Sequence, residues 1–416
     1  MKSQKMREST ALASAALLAL MLMPTMAAAQ FYSDVQSNGP LHLRGYGSFL
    51  IQGTPVLLTA IESGRTPPGP GNKIINQMYV QFMLPQRGED QFGDGEGENG
   101  RKHVPIVFVH GGGLSSKSWQ TTPDGRMGWD EYFVRQGFDT FLADQVGRAR
   151  SGFDGRTYNN VQGGVLEPDT GQPPIRLSTD QVAWTGFRWG TAPCTASPCY
   201  ATTTPHPGIR FPMSTVGVGN GGSNLQFFNQ GVPGLNPTLS GASPPGTNNG
   251  PADPAAFYNT PAQMAELAKE LGGAILVGHS ESSSFPTRAA LQPASGCYPW
   301  TTASACKVKG IIQLETGCFD NLTPAEITTL SHIPILIEFG DFSPVPQPAA
   351  PCPTEISQIT AAGGDIKFAW IPALTPGSLY EGSPGPIFGN DHMIMLDNNN
   401  LQIADILIGW ATSRGL

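Results

Sequence analysis

Short apolar runs, each closed by glycine or polar residues, recur along this chain and alternate with segments of helical period. Residues 104–109, 140–143, 274–277, 310–315 and 333–339 are apolar almost without interruption, as expected of strands covered on both faces. Met78, Val80, Phe82 and Leu84 recur every second residue, which predicts a strand over 77–84, and an N-terminal strand region is expected within 31–52. Helices are expected over 129–136, 261–271, 287–291, 355–362 and 401–412. Strands and helices in this alternation predict an α/β fold, with a mostly parallel central sheet flanked by helices. Such sheets bind ligands beyond the carboxyl ends of their strands.

Two stretches break the pattern. Residues 87–100 are acidic and rich in glycine, the composition of a surface loop. Over 152–254 the chain turns to Gly, Pro, Thr and Asn with scattered Trp184, Phe187, Trp189, Tyr200, Phe211, Phe227 and Phe228. Long irregular segments inside an enzyme-sized domain are usually lids or binding loops, so this one is expected to be a cap. Its aromatics either form a small core of the cap or line a substrate pocket. The expected organisation is therefore a leader over 1–29, a core in two parts over 30–151 and 255–416, and the cap insertion over 152–254.

The leader reading rests on Lys2, Lys5 and Arg7, an apolar run over 11–23, and the small residues Ala27, Ala28 and Ala29 before Gln30. It predicts a secreted or periplasmic protein, and no later stretch is long and apolar enough to span a bilayer. Taking a leader of three cations and one anion from a formal charge of −8 leaves −10, an acidic balance that argues against nucleic acid as a partner. An exported chain also suits disulfides, and its six cysteines are even in number. Cys194 with Cys199 and Cys297 with Cys306 would close short loops and leave Cys318 for Cys352, one of fifteen connectivities that six cysteines allow. No metal-ligand spacing such as C-x-x-C or H-E-x-x-H occurs, and no cofactor is implied.

The chemistry concentrates at 274–282, Ala-Ile-Leu-Val-Gly-His-Ser-Glu-Ser, where an apolar strand ends in a turn that would expose Ser280. In the G-x-S-x-G elbow, small residues on both sides of the serine let strand and helix approach; Gly278 fits, and Ser282 stands where the second glycine is usual. Residues 104–109 deliver a second feature, His110-Gly111-Gly112-Gly113, whose backbone N–H groups could meet a developing oxyanion. A serine hydroxyl needs a base that is oriented by a carboxylate. Downstream of Ser280 the histidines are His332, before a strand and so at the wrong edge of the sheet, and His392, in a loop before the last helix. His392 is the expected base. Glu315 and Asp341 both end strands after Ser280, and the residues alone do not choose between them.

A resemblance bears on that choice. Residues 121–133 (Thr-Thr-Pro-Asp-Gly-Arg-Met-Gly-Trp-Asp-Glu-Tyr-Phe), Ala361-Ala362-Gly363-Gly364, Gly389-Asn390-Asp391-His392-Met393 and the helix over 399–410 closely resemble the atypical secreted bacterial esterases of the α/β-hydrolase superfamily. The resemblance implies the α/β-hydrolase fold and a Ser-Glu-His triad of Ser280, Glu315 and His392, with Asp341 outside it. The oxyanion donors are assigned to the backbone N–H groups of Gly112 and Glu281. Where a relative carries two bonded adjacent cysteines in the oxyanion loop, this chain has Gly112 and Gly113, so the loop is expected to be unlocked. The resemblance also implies a homodimer. The substrate expected is a small-molecule or polymeric carboxylic ester, with the aromatic cap suggesting a bulky or aromatic one. A lactonase or amidase would use the same triad, and an inactive secreted binding protein could keep the same shell. A dehalogenase or epoxide hydrolase would need Asp in place of Ser280.

Overall fold

Strand pairing orders the molecule, seen here in a computed structural model in which residues 38–64, 69–86, 103–167, 175–213, 222–235, 256–315, 321–342 and 352–416 are described. The strands are β1 (Leu43–Ile51), β2 (Thr54–Leu58), β3 (Gly71–Ile75), β4 (Met78–Pro85), β5 (Ile106–Val109), β6 (Thr140–Ala143), β7 (Ile175–Arg176), β8 (Gly234–Leu235), β9 (Ala274–His279), β10 (Val308–Leu314), β11 (Ile335–Phe339) and β12 (Ile366–Trp370). The main sheet runs β1-β4-β6-β5-β9-β10-β11-β12. β1 pairs with β4 and β4 with β6 in antiparallel fashion, and every pairing from β6 to β12 is parallel. This is the mostly parallel, helix-flanked sheet of the expected fold class. The expected leader over 1–29, the loop over 87–100 and a Cys318–Cys352 bridge lie outside the described residues.

Buried strands alternate their side chains between two cores. Ile275 and Val277 of β9 join Phe108, Trp129, Phe133 and Trp410 on one face, under helices Trp129–Arg135 and Asn400–Thr412. Ala274 and Leu276 join Met264, Leu267 and Phe285 on the other, under helices Ala256–Glu270 and Phe285–Ala290. All six residues of β9 are buried, which is why its sequence shows a continuous apolar run rather than alternation. At about 25 cal/mol per Å² of apolar surface, such double-sided burial is the main stabilising term available to the sheet.

Sequence reading missed two features. The β2–β3 hairpin stands off the main sheet with Leu57 and Ile74 exposed, so no buried face marks it. β12 is an edge strand with mostly half-buried residues, and its Ile-Lys-Phe-Ala-Trp pattern is weak. The expected helix over 261–271 begins at Ala256, with Pro261 inside it.

Within 152–254 the described residues form helices Arg156–Gln162, Asp180–Gly186, Cys199–Thr202 and Gly222–Asn229, together with the β7–β8 pair, as helical and loop insertions on the core fold. The disulfides Cys194–Cys199 and Cys297–Cys306 are formed. Trp184, Trp189, Phe211 and Phe227 are at most 2% exposed and belong to the same core as β5 and β9. Trp189 lies 4.3 Å from Phe211 and 5.1 Å from Phe227, ring centre to ring centre. These four aromatics therefore weld the insertion to the core and are not free to line a pocket.

Candidate active site

β9 ends at His279, and the chain turns at once into a short 3-10 turn, Ser280–Ser282. Ser280 sits at φ +56°, a left-handed backbone that costs a residue with a Cβ on the order of 1–2 kcal/mol. Gly278 makes the turn sterically possible, because a Cβ there would lie 2.1 Å from the carbonyl oxygen of Ser282. The unusual Ser282 is buried and bonded: its Oγ accepts from His279 N (3.0 Å) and lies 2.9 Å from the Val109 carbonyl, to which it can donate. A glycine would leave both partners without that bridge.

Ser280, His392 and Glu315 come together from three parts of the chain. Ser280 Oγ is 2.8 Å from His392 Nε2, and His392 Nδ1 is 3.2 Å from Glu315 Oε2. An ionised carboxylate only accepts, so the His392 proton belongs on Nδ1 and Nε2 is left to accept from the serine. Glu315 follows β10 at φ +62°, and its other oxygen accepts from Gly340 N at 2.5 Å. Asp341 serves the same loop differently: Oδ2 accepts from Gly389 N, Oδ1 from Phe342 N, and the Asp341 N–H donates to Asn390 O. It anchors the backbone that carries His392. His279 donates from Nε2 to the His392 carbonyl (2.7 Å) and so supports the loop from the sheet side. His332 stacks on Trp300, away from these groups.

The glycine loop lies beside Ser280. A Cβ on Gly111 would be 2.9 Å from both Ser280 Cβ and His279 Nδ1, so only glycine permits this approach. His110 is fully buried, donates from Nδ1 to Gly111 O and accepts on Nε2 from Gln145 N. The loop has neighbours on its outer side: Gly113 O accepts from Val232 N of the insertion, and the side chains of Ser178 and Glu281 lie beside Gly113 and Gly112. The Glu281 carboxylate accepts from both terminal nitrogens, Nη1 and Nη2, of buried Arg148, at 2.6 and 3.3 Å.

Charge at the site is set by burial and by one arginine. Burial opposes ionisation of Glu315, but Arg188, His392 and the Gly340 N–H outweigh it and hold its pKa at about 2. Arg188 Nη2 is 2.5 Å from Glu315 Oε2, and its Nε donates to Asp341 O at 3.0 Å. For His392, burial with help from Arg188 wins over the attraction of Glu315, and the pKa falls below the ordinary histidine value. Burial also lowers His279 to about 3 and His110 to about 4, so both are neutral hydrogen-bonding groups. Neither Arg148 nor Arg188 was legible as a site residue in the sequence, since each lies far along the chain from its carboxylate and carries no motif.

Comparisons with known proteins agree with the fold. No family model matches the chain. The solved structure of a bacterial esterase is 30% identical, covering 89% of this chain and 96% of its own, with a TM-score of 0.66. The chain belongs to the α/β-hydrolase-fold esterases and lipases. A probable secreted lipase, phiG, of Fungal sp. (strain ATCC 74256) is 25% identical over 384 residues, covering 82% of this chain and 87% of that protein. As a member of the esterase and lipase family the chain is a hydrolase, and no helix among its described residues is long and apolar enough to cross a membrane.

Proposed function

We propose that this hydrolase is an exported serine carboxylesterase that works through Ser280, His392 and Glu315 and an acyl-enzyme. One observation carries the reading: the serine at a left-handed turn, the imidazole and the buried carboxylate stand in one hydrogen-bonded line, 2.8 and 3.2 Å apart. His392 takes the Ser280 proton as Oγ bonds to the ester carbonyl carbon, and Glu315 stabilises the imidazolium that results. The carbonyl oxygen becomes an oxyanion, received by the backbone N–H groups of Gly112 and Glu281. The tetrahedral adduct then expels the alkoxide, which leaves as alcohol with the proton from His392. Water, deprotonated by the same imidazole, attacks the acyl-enzyme and releases the acid with Ser280 restored.

Export is supported by the leader over 1–29, by the two disulfides and by the fungal relative, which is described as secreted. The preference for bulky or aromatic esters rests on Phe187, the cap aromatic that lies flat against His392, with ring centres 5.3 Å apart and planes within 7°. Trp184, Trp189, Phe211 and Phe227 lend it no support, being core.

The test is covalent labelling with a fluorophosphonate followed by peptide mapping. A label on Ser280, lost in Ser280→Ala, is the expected result, while a correctly folded protein that takes no label overturns the assignment. A panel of esters graded from acetyl to aromatic acyl groups, with matched amides and lactones, then reads the substrate class; strong preference for acetyl refutes the bulky-ester proposal.

A further inference from the structure

The insertion reaches the acid–base pair through two consecutive residues. Phe187 caps the C-terminal end of helix Asp180–Gly186, accepts the His392 N–H at its carbonyl oxygen (3.2 Å), and stacks its ring on the imidazole. Arg188 follows at φ +60°, a left-handed conformation uncommon for a residue with a long side chain. That turn lets its guanidinium bind Glu315 Oε2 and the Asp341 carbonyl together. The Arg188 side chain is 13% exposed and that of Glu315 is fully buried, so the pair is shielded far more than a surface ion pair. Trp184 and Trp189, on either side of the dipeptide, are locked in the core, which fixes where the dipeptide can stand.

We propose that Phe187-Arg188 is a positioning clamp carried by the cap, which holds the Glu315–His392 pair in working geometry and ties its competence to docking of the cap on the sheet. The inference rests on the reading of Ser280, His392 and Glu315 as a catalytic triad. The clamp has a chemical as well as a mechanical side. Arg188 keeps Glu315 ionised in a buried setting and, as a nearby cation, disfavours the imidazolium of His392. The base therefore stays neutral, and able to accept a proton, at lower pH than it would beside Glu315 alone.

The other charged or titratable groups around the pair do not supply this effect. His279 faces it from β9 and is held neutral by burial. Asp391 and Asp397 share the His392 loop, and both have pKa values raised by burial. Glu338 of β11 lies beside Glu315 and is likewise pushed toward its protonated form by burial. Asp341 binds Arg188 only through its main chain, and its carboxylate is used by Phe342 and Gly389.

The test compares Arg188→Gln, Arg188→Lys and Phe187→Leu with the wild type by kcat and kcat/KM across pH, with melting temperature and fluorophosphonate labelling as controls. For Arg188→Gln the acid limb of kcat/KM moves up by about one pH unit and kcat falls about tenfold, with KM little changed. Arg188→Lys restores the position of the limb, because the charge returns, but recovers only part of kcat, because one ammonium replaces a guanidinium bound at two points. Phe187→Leu lowers kcat without moving the limb. An acid limb that stays in place in Arg188→Gln, or an Arg188→Lys enzyme equal to wild type in kcat, overturns the proposal. Should Arg188→Gln fail to fold, Arg188→Lys and Phe187→Leu decide it by the same criteria. Absence of label on wild-type Ser280 would instead overturn the triad reading, an outcome read separately from any pH profile.

Discussion

Ser282 and Val109 are joined by a buried hydrogen bond, Oγ to carbonyl oxygen at 2.9 Å, that ties the elbow after β9 to the end of β5. The same hydroxyl accepts from His279 N, so one side chain fastens both strand ends that flank Ser280. In the sequence Ser282 only stands where a second glycine is usual. The structure makes it a bolt.

Replacing Ser282 by Ala removes the bolt and leaves the buried His279 N–H and Val109 carbonyl without it. Each unmet buried group costs roughly 1–3 kcal/mol, so Ser282→Ala is expected to lower stability by about 2 kcal/mol. Denaturant unfolding followed by tryptophan fluorescence measures this. A midpoint equal to that of wild type would show that the bridge contributes nothing.

Glu315 and Asp341 are both anchored near His392, but only Glu315 meets its imidazole. Glu315→Gln keeps the shape, removes the charge and leaves Arg188 without its counter-ion. Turnover of a chromogenic ester should fall by about three to four orders of magnitude, as when the acid of a triad is made neutral. Asp341→Asn retains an acceptor for Gly389 N and should cost less than about tenfold. The reverse ranking would transfer the acid role to Asp341.

Gly112 supplies one of the two proposed oxyanion donors through its main chain, so a side-chain truncation cannot remove it. Gly112→Pro deletes the N–H. The expected loss in kcat is roughly a hundred- to a thousandfold, with the far-ultraviolet circular dichroism of the wild type retained. Activity within a few-fold of wild type would place the donor elsewhere.

Asp391 and Asp397 interact as buried neighbours of His392, and burial raises both pKa values, that of Asp397 to about 7. A carboxyl whose folded pKa exceeds its unfolded value of 3.8 binds more protons folded than unfolded, so its contribution to stability is present at low pH. That contribution is lost as pH rises from about 4 through 7. Asp397→Asn keeps acceptors for Asn390 and the Asp391 N–H while removing the titration. The variant should therefore gain stability relative to wild type as pH rises from 4 to 8, read as the difference between two series of unfolding curves. A difference that is flat or falls with pH refutes the assignment.

The sequence by itself determined the strands buried on both faces, because their apolar runs are local. It also determined the elbow at Gly278 and Ser280, where close approach admits only small residues, and the short-loop disulfides, where nearness along the chain brings the cysteines together. The residues alone left the carboxylate open between Glu315 and Asp341, and only the resemblance pointed to Glu315; in the tertiary structure Glu315 meets His392, because two carboxylates that both end strands differ only in where the chain aims them. Tertiary structure alone decided that Trp184, Trp189, Phe211 and Phe227 of the insertion are core, and that Arg188, 127 residues before Glu315, is that carboxylate's counter-ion. Contacts between residues far apart in the chain leave no periodic trace, because an ion pair is specified by the position of two backbones and not by the neighbours of either residue.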